Sequence, residues 1–121
     1  MRDAPTRCLI VEDSPVSRAV LEGYVAIHSR LELVASVGTL AEAAEALDGV
    51  DLVLLDIELG EESGLAVARR LGPDVQLIVT TSNEEYALES VRYRAADFLL
   101  KPFGFPRFAE AVDRARRLAG R

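Results

Sequence analysis

Residues 50–60 read VDLVLLDIELG, in which four consecutive aliphatic residues end on a carboxylate, Asp56. An unbroken apolar run of this length suits a strand buried on both faces of a parallel sheet; a half-exposed strand would alternate. The acid at its tip marks either the point where the strand meets water or a site of chemistry. The remaining segments decide between the two.

Four comparable runs surround this one: RCLIV (7–11), LELVASV (31–37), QLIVT (76–80) and DFLL (97–100), with DLVLL (51–55) third in order. Helical segments separate them. SPVSRAVLEGYVAIH (14–28) offers Ser14 as N-cap, Pro15 at the first helical position, and Val16, Val20, Tyr24 and Ile27 as an apolar stripe. TLAEAAEAL (39–47) opens with a capping-box pattern from Thr39 to Glu42, and SNEEYALESVRY (82–93) repeats it from Ser82 to Glu85. SGLAVARRL (63–71) reads as a short helix stopped by Gly72–Pro73. FPRFAEAVDRARRLAG (105–120) carries Phe105, Phe108, Ala109, Val112 and Ala115 on one face. Strand and helix therefore alternate five times, which predicts one α/β domain over residues 1–121 with a parallel sheet covered on both faces.

Composition removes several function classes. The chain has 121 residues and a formal charge of -6, which argues against direct nucleic-acid binding. Its basic cluster, Arg114, Arg116 and Arg117, reads as a solvated helix end that complements the helix dipole. A lone Cys8 inside an apolar run fits a reducing, cytoplasmic setting, and with a lone His28 it leaves no zinc site. No signal peptide is visible, and no apolar run nears the ~18 residues that a membrane-spanning helix needs.

Open α/β sheets place their functional crevice at the carboxyl ends of the strands. Glu12 and Asp13 follow the first strand, Asp56 and Glu58 the third, Thr81 the fourth and Lys101 the fifth. Acids brought together repel unless a cation joins them. Mg2+, which takes carboxylates, waters and phosphate oxygens, is the natural partner. A carboxylate beside Mg2+ and a lysine can attack phosphorus, with both cations neutralising the phosphoryl group in transfer.

These motifs resemble the receiver domain of two-component response regulators, along essentially the whole chain. The resemblance is carried by LIVEDSPVSR with its acidic pair, LVLLDIELGEESGL with Asp56, LIVTTSNEEYAL with Thr81, and AADFLLKPF with Lys101. The wording EEYALES…DFLLKPFGFPRFAEAV is similar to receivers that precede LytTR-type DNA-binding domains. The resemblance implies a flavodoxin-like (βα)5 fold with strand order 2-1-3-4-5. It implies that Asp56 accepts a phosphoryl group from a histidine kinase, a phosphotransfer protein or a small phosphodonor. Mg2+ would be held by Asp13, Asp56 and the Glu58 carbonyl directly, and by Glu12 through water. Lys101 would pair with the phosphoryl group, Thr81 would move toward it, and Phe98 would be the aromatic switch. The Lys101–Pro102 bond would be cis. The surface made by the fourth helix, fifth strand and fifth helix, including Tyr86, Ser90, Val91, Tyr93 and Phe103, would meet an output domain or partner protein, with a homodimer also open.

The chain departs from the common receiver pattern at Gly60, Ser63 and Ser82, and the stretch from Asp56 to Thr81 is short. Glu58 and Asn83 flank the position where receivers tune hydrolysis of the phospho-aspartate. Three rivals remain to be weighed. A Mg2+-dependent phosphatase would use Glu58 as general acid but lacks the usual threonine at Gly60. A flavodoxin-type FMN carrier would be repelled by Glu12 and Asp13. A pseudo-receiver adaptor would bind partners without phosphorylation. Enzymatic activity beyond self-phosphorylation and slow self-dephosphorylation is not expected. The chain reads either as a stand-alone receiver or as the receiver of a longer LytTR-type regulator.

Overall fold

The computed structural model describes residues 4–58, 65–89 and 94–120. Five strands, β1 (Thr6–Val11), β2 (Leu31–Val37), β3 (Leu52–Asp56), β4 (Gln76–Thr81) and β5 (Asp97–Leu100), form one sheet in the order β2-β1-β3-β4-β5. Every neighbouring pair is parallel. The helices are α1 (Pro15–Ile27), α2 (Leu40–Ala46), α3 (Leu65–Ala68), α4 (Glu84–Glu89) and α5 (Phe105–Leu118). The Lys101–Pro102 peptide is cis.

The aliphatic strands divide their side chains between two cores, as a pleat with a period of two requires. Leu52 and Leu54 join Cys8, Ile10, Ile78 and Leu99 beneath Leu21, Val25, Phe108 and Val112 of α1 and α5. Val53 and Leu55 join Leu9, Val11, Leu77 and Val79 on the opposite face, with Ala43 of α2 and Val67 of α3. β3 is buried at every position, so Asp56 is held by a strand with no freedom to slide. Cys8 is buried, and burial pushes its thiol up to about 12, which makes it an inert core residue.

Helix starts follow their caps. Ser14 Oγ accepts from Ser17 N at 3.3 Å, with Pro15 in the first turn of α1. Thr39 Oγ1 accepts from Glu42 N at 3.2 Å and donates to Glu42 Oε1 at 3.0 Å. At the α2–β3 turn, Gly49 adopts φ 75°, a left-handed conformation that glycine takes without a Cβ clash.

Five local expectations are corrected. The buried face of α1 is Leu21 and Val25, whereas Val16 and Ile27 are 76% and 65% exposed. Of the expected stripe, Tyr24 packs beside Leu21 and Val25 against the core, while Val16, Val20 and Ile27 turn to solvent. In α4, Asn83 Oδ1 accepts from Glu85 N at 2.9 Å, so the cap is Asn83 and not Ser82. α3 ends at Ala68, not Leu71, where Arg70 N and Leu71 N bond three residues back and tighten the chain. On α5, Ala111 belongs to the core while Ala109 is half-buried. Arg116 is buried and donates to Thr6 Oγ1 and to the Arg30 carbonyl; it is not a solvated helix-end charge.

Candidate functional site

The strand order makes β1 the turning point: the chain first builds β2 on one side of it and then crosses to β3 on the other. The carboxyl ends of β1 and β3 therefore flank the crevice, with β4 and β5 beyond. Register fixes the order of side chains along this rim. Asp56 stands beside Thr80, and Thr81 stands beside Leu100, so Lys101 extends one residue past the paired strands. Backbone bonds from Glu12 N to the Val37 carbonyl and from Lys101 N to the Thr81 carbonyl tie the loop starts to the sheet.

Lys101 Nζ lies 2.5 Å from Glu12 Oε1 and 3.3 Å from Asp56 Oδ2, bridging the tips of β1 and β3. Glu12 is fully buried, and its other oxygen accepts from Ser14 N at 3.0 Å. Asp56 is also buried, with Oδ1 accepting from Glu58 N at 2.9 Å. Both oxygens of Asp56 are thus engaged by donors that set the plane of its carboxylate. Burial raises the Glu12 carboxyl above its ordinary range, against the Lys101 ammonium and the Ser14 amide. Burial alone would lower Lys101, but its hydrogen bond with Glu12 and the charge of Asp56 outweigh that and raise it.

Asp13 is exposed, yet Glu12, Asp13 and Asp56 can each present an oxygen within 4.8 Å of the others. Three carboxylates against one ammonium leave two negative charges uncompensated, which matches a divalent cation with oxygen ligands. The residues present therefore fit Mg2+.

Thr81 Oγ1 donates to Glu58 Oε1 at 3.2 Å and accepts from Asn83 N at 3.0 Å. Its hydroxyl is turned to Glu58, and it shapes the start of α4 as well. Phe98, half-buried on β5, packs with the α2–α3 core, on the same face as Val79. Of the expected partner surface, Tyr86 is exposed on α4. Phe103 instead packs against Tyr24 on the α1–α5 side, at 6.2 Å between ring centroids, and leaves that surface. Ser90, Val91 and Tyr93, like Gly60 and Ser63, lie outside the described residues. Among the described residues no helix is long and apolar enough to cross a membrane.

The structure brings Glu12, Asp13, Asp56 and Lys101 together, as the strand order led one to expect, and adds two arrangements that the sequence reading did not contain. One is the Thr81–Glu58 bond, which has no signature in spacing. The other is an ion pair beside Phe98, between Asp97 and Arg107, at 2.9 and 3.0 Å. Its signal was available: an arginine in the first turn of α5, where the helix dipole disfavours a cation.

Comparison with known proteins bears on the family and the fold. A family model described as the response regulator receiver domain matches residues 8–113. The sensory transduction protein LytT of Enterococcus faecalis is 33% identical over 117 residues, covering 93% of this chain and 48% of that protein. LytR of Staphylococcus epidermidis is 29% identical, over 89% of this chain and 45% of that protein. The chain thus spans about half the length of these relatives. Among solved structures, the response regulatory domain of mrkE from Klebsiella pneumoniae superposes with a TM-score of 0.83 at 24% identity, covering 94% of this chain and 98% of that one. The REC domain of AraT from Geobacillus stearothermophilus does so at 0.79 and 28%, covering 94% and 95%.

Proposed function

This chain belongs to the response regulator receiver family of two-component signalling, and from that premise we propose that Asp56 is its phosphoacceptor. The observation that carries the reading is the Lys101 ammonium set between Glu12 and Asp56, with Asp13 within reach of the same point. A carboxylate oxygen of Asp56 attacks phosphorus, the bond from phosphorus to the donor breaks, and the donor leaves with the electron pair. The donor is a phosphohistidine of a kinase or phosphotransfer protein, or a small acyl phosphate. Burial removes competing water from Asp56, and the Glu58 amide and Lys101 hold its carboxylate at a fixed angle. Lys101 is placed to follow the incoming charge, because its bond to Asp56 is the longer of its two.

Mg2+ would be held by Asp13, Asp56 and the Glu58 carbonyl, with Glu12 acting through water, and would neutralise phosphoryl oxygens. The phosphorylated Asp56 then draws Thr81 from Glu58 and biases Phe98 and the surface of α4, β5 and α5. Moving a resting equilibrium from 1:99 to 99:1 takes about 5.5 kcal/mol. Two or three hydrogen bonds to a charged group, at about 1.5–3 kcal/mol each, are of that size. The reader of that surface is an output domain of a LytTR-type regulator or a partner protein, in a cytoplasmic setting, with a homodimer as one arrangement. Residues 1–121 act as one domain. The chain signals; it does not turn over a substrate pool.

Titration with Mg2+ and beryllofluoride, followed by NMR, tests this. Amide shifts centred on Asp56, Thr81 and Lys101, absent in Asp56→Asn, are expected. Shifts that persist in Asp56→Asn contradict the reading, and their absence in the wild type favours an adaptor that works without phosphorylation.

A further inference from the structure

Arg107 stands in the first turn of α5, where the partial positive charge of the helix terminus disfavours a guanidinium. No side chain caps that terminus, and its first turn carries no acid. A locally unfavourable charge is held in place by something across from it. Here that is Asp97, the first residue of β5: Arg107 Nη1 and Nη2 reach its two carboxylate oxygens at 3.0 and 2.9 Å, a bidentate fork. Burial would raise the Asp97 carboxyl, but the Arg107 hydrogen bonds and the Phe98 amide lower it, so the pair stays charged.

The pair closes on the residue between its partners. Asp97 Oδ1 accepts from Phe98 N at 2.8 Å, and Arg107 Nη2 donates to the Phe98 carbonyl at 2.8 Å. The guanidinium carbon also lies 5.9 Å from the centroid of the Phe98 ring. β5 is the outer strand on this side of the sheet, so both contacts are made at the sheet's edge. One ion pair thus engages the donor, the acceptor and the ring of a single residue. Phe98 stands beside Val79, and Thr81 follows Val79 by two positions on the same face of the sheet. Thr81 and the Phe98 ring therefore stand on one face of the sheet, so a movement of Thr81 bears on the ring.

We propose that Arg107 is a positioning residue that, with Asp97, clamps Phe98 in its resting conformation, so that activation at Asp56 works against this clamp. The proposal rests on the phosphoacceptor reading above. A contact made in the resting state and weakened in the active one lowers the affinity for anything that selects the active state. Removing the clamp accordingly strengthens binding of a phosphoryl mimic at Asp56.

The test is the affinity for beryllofluoride in Mg2+, measured by NMR titration on wild type, Arg107→Ala, Arg107→Lys, Phe98→Leu and Phe98→Leu/Arg107→Ala. Arg107→Ala is expected to bind about fivefold tighter or more, the lower bound of typical coupling between sites. Arg107→Lys, which keeps the charge and loses the fork, shifts the same way by less, and serves alone if Arg107→Ala fails to fold. In the Phe98→Leu background the effect of Arg107→Ala is expected to shrink toward none. A clamp that only caps the sheet edge lowers thermal stability and leaves the affinity unchanged. Unchanged or weaker binding in the Arg107 variants, or an equal effect with and without Phe98, overturns the proposal. If the wild type itself binds no beryllofluoride, the phosphoacceptor reading fails first and the proposal falls with it.

Discussion

The hydroxyl of Thr81 donates to the carboxylate of Glu58, at 3.2 Å, and not toward Asp56. If Asp56 is phosphorylated as proposed, the phosphoryl group and Glu58 would compete for one proton donor. Glu58→Ala removes the competitor while leaving the backbone carbonyl and amide of residue 58 in place. A single net hydrogen bond is worth about 0.5–1.5 kcal/mol, so beryllofluoride should bind roughly two- to tenfold tighter to Glu58→Ala than to wild type. Thr81→Val should bind it more weakly, since it has no hydroxyl to donate. Weaker binding in Glu58→Ala would show that the carboxylate assists the anion site instead of drawing Thr81 from it.

Asp13 should show opposite effects with and without metal. In chelator, Asp13→Asn relieves repulsion among three clustered acids, so the midpoint of urea unfolding rises. With millimolar Mg2+, wild type gains stability by RT ln(1 + [Mg2+]/Kd), about 2.7 kcal/mol at a hundredfold excess over Kd, and the variant gains little. Equal gains in the two proteins would remove Asp13 from the metal site.

Asp97 carries an acid-side stability prediction. Its carboxyl faces Arg107, the Phe98 amide and, at 4.0 Å, Arg114, and it is held below the usual range. A carboxyl lowered on folding adds stability above its unfolded value of about 3.9 and loses it as pH falls through the folded value. Asp97→Asn should therefore be less stable than wild type at pH 7, with the gap narrowing as pH drops below about 4. A gap that stays constant down to pH 2 would mean that the carboxylate charge contributes nothing.

The sheet and the acids were legible because they rest on local rules. The run LVLL suits a strand buried on both faces of a parallel sheet, and the functional crevice of such a sheet lies at its strand ends, so Glu12, Asp13, Asp56 and Lys101 could be placed together from order alone. Side-chain direction was not legible. The pairing of Lys101 with Glu12 depends on the length of the lysine stem, and the turn of Thr81 toward Glu58 depends on the path after β3. A charged residue near a helix end is usually solvated, but Arg116 is buried because the last turn of α5 brings it against Thr6 at the start of β1. The α1 stripe failed for a related reason: Val16 and Ile27 have helical spacing, but the sheet meets the adjacent face.

The most direct measurement of the central claim is intact mass after incubation with Mg2+ and acetyl phosphate. Wild type should gain about 80 Da, the mass of one phosphoryl group, and lose it in hydroxylamine as an acyl phosphate does. Asp56→Asn and wild type in chelator should gain nothing. An adduct of that mass in Asp56→Asn, or none in wild type with Mg2+, would contradict the assignment of Asp56 as phosphoacceptor.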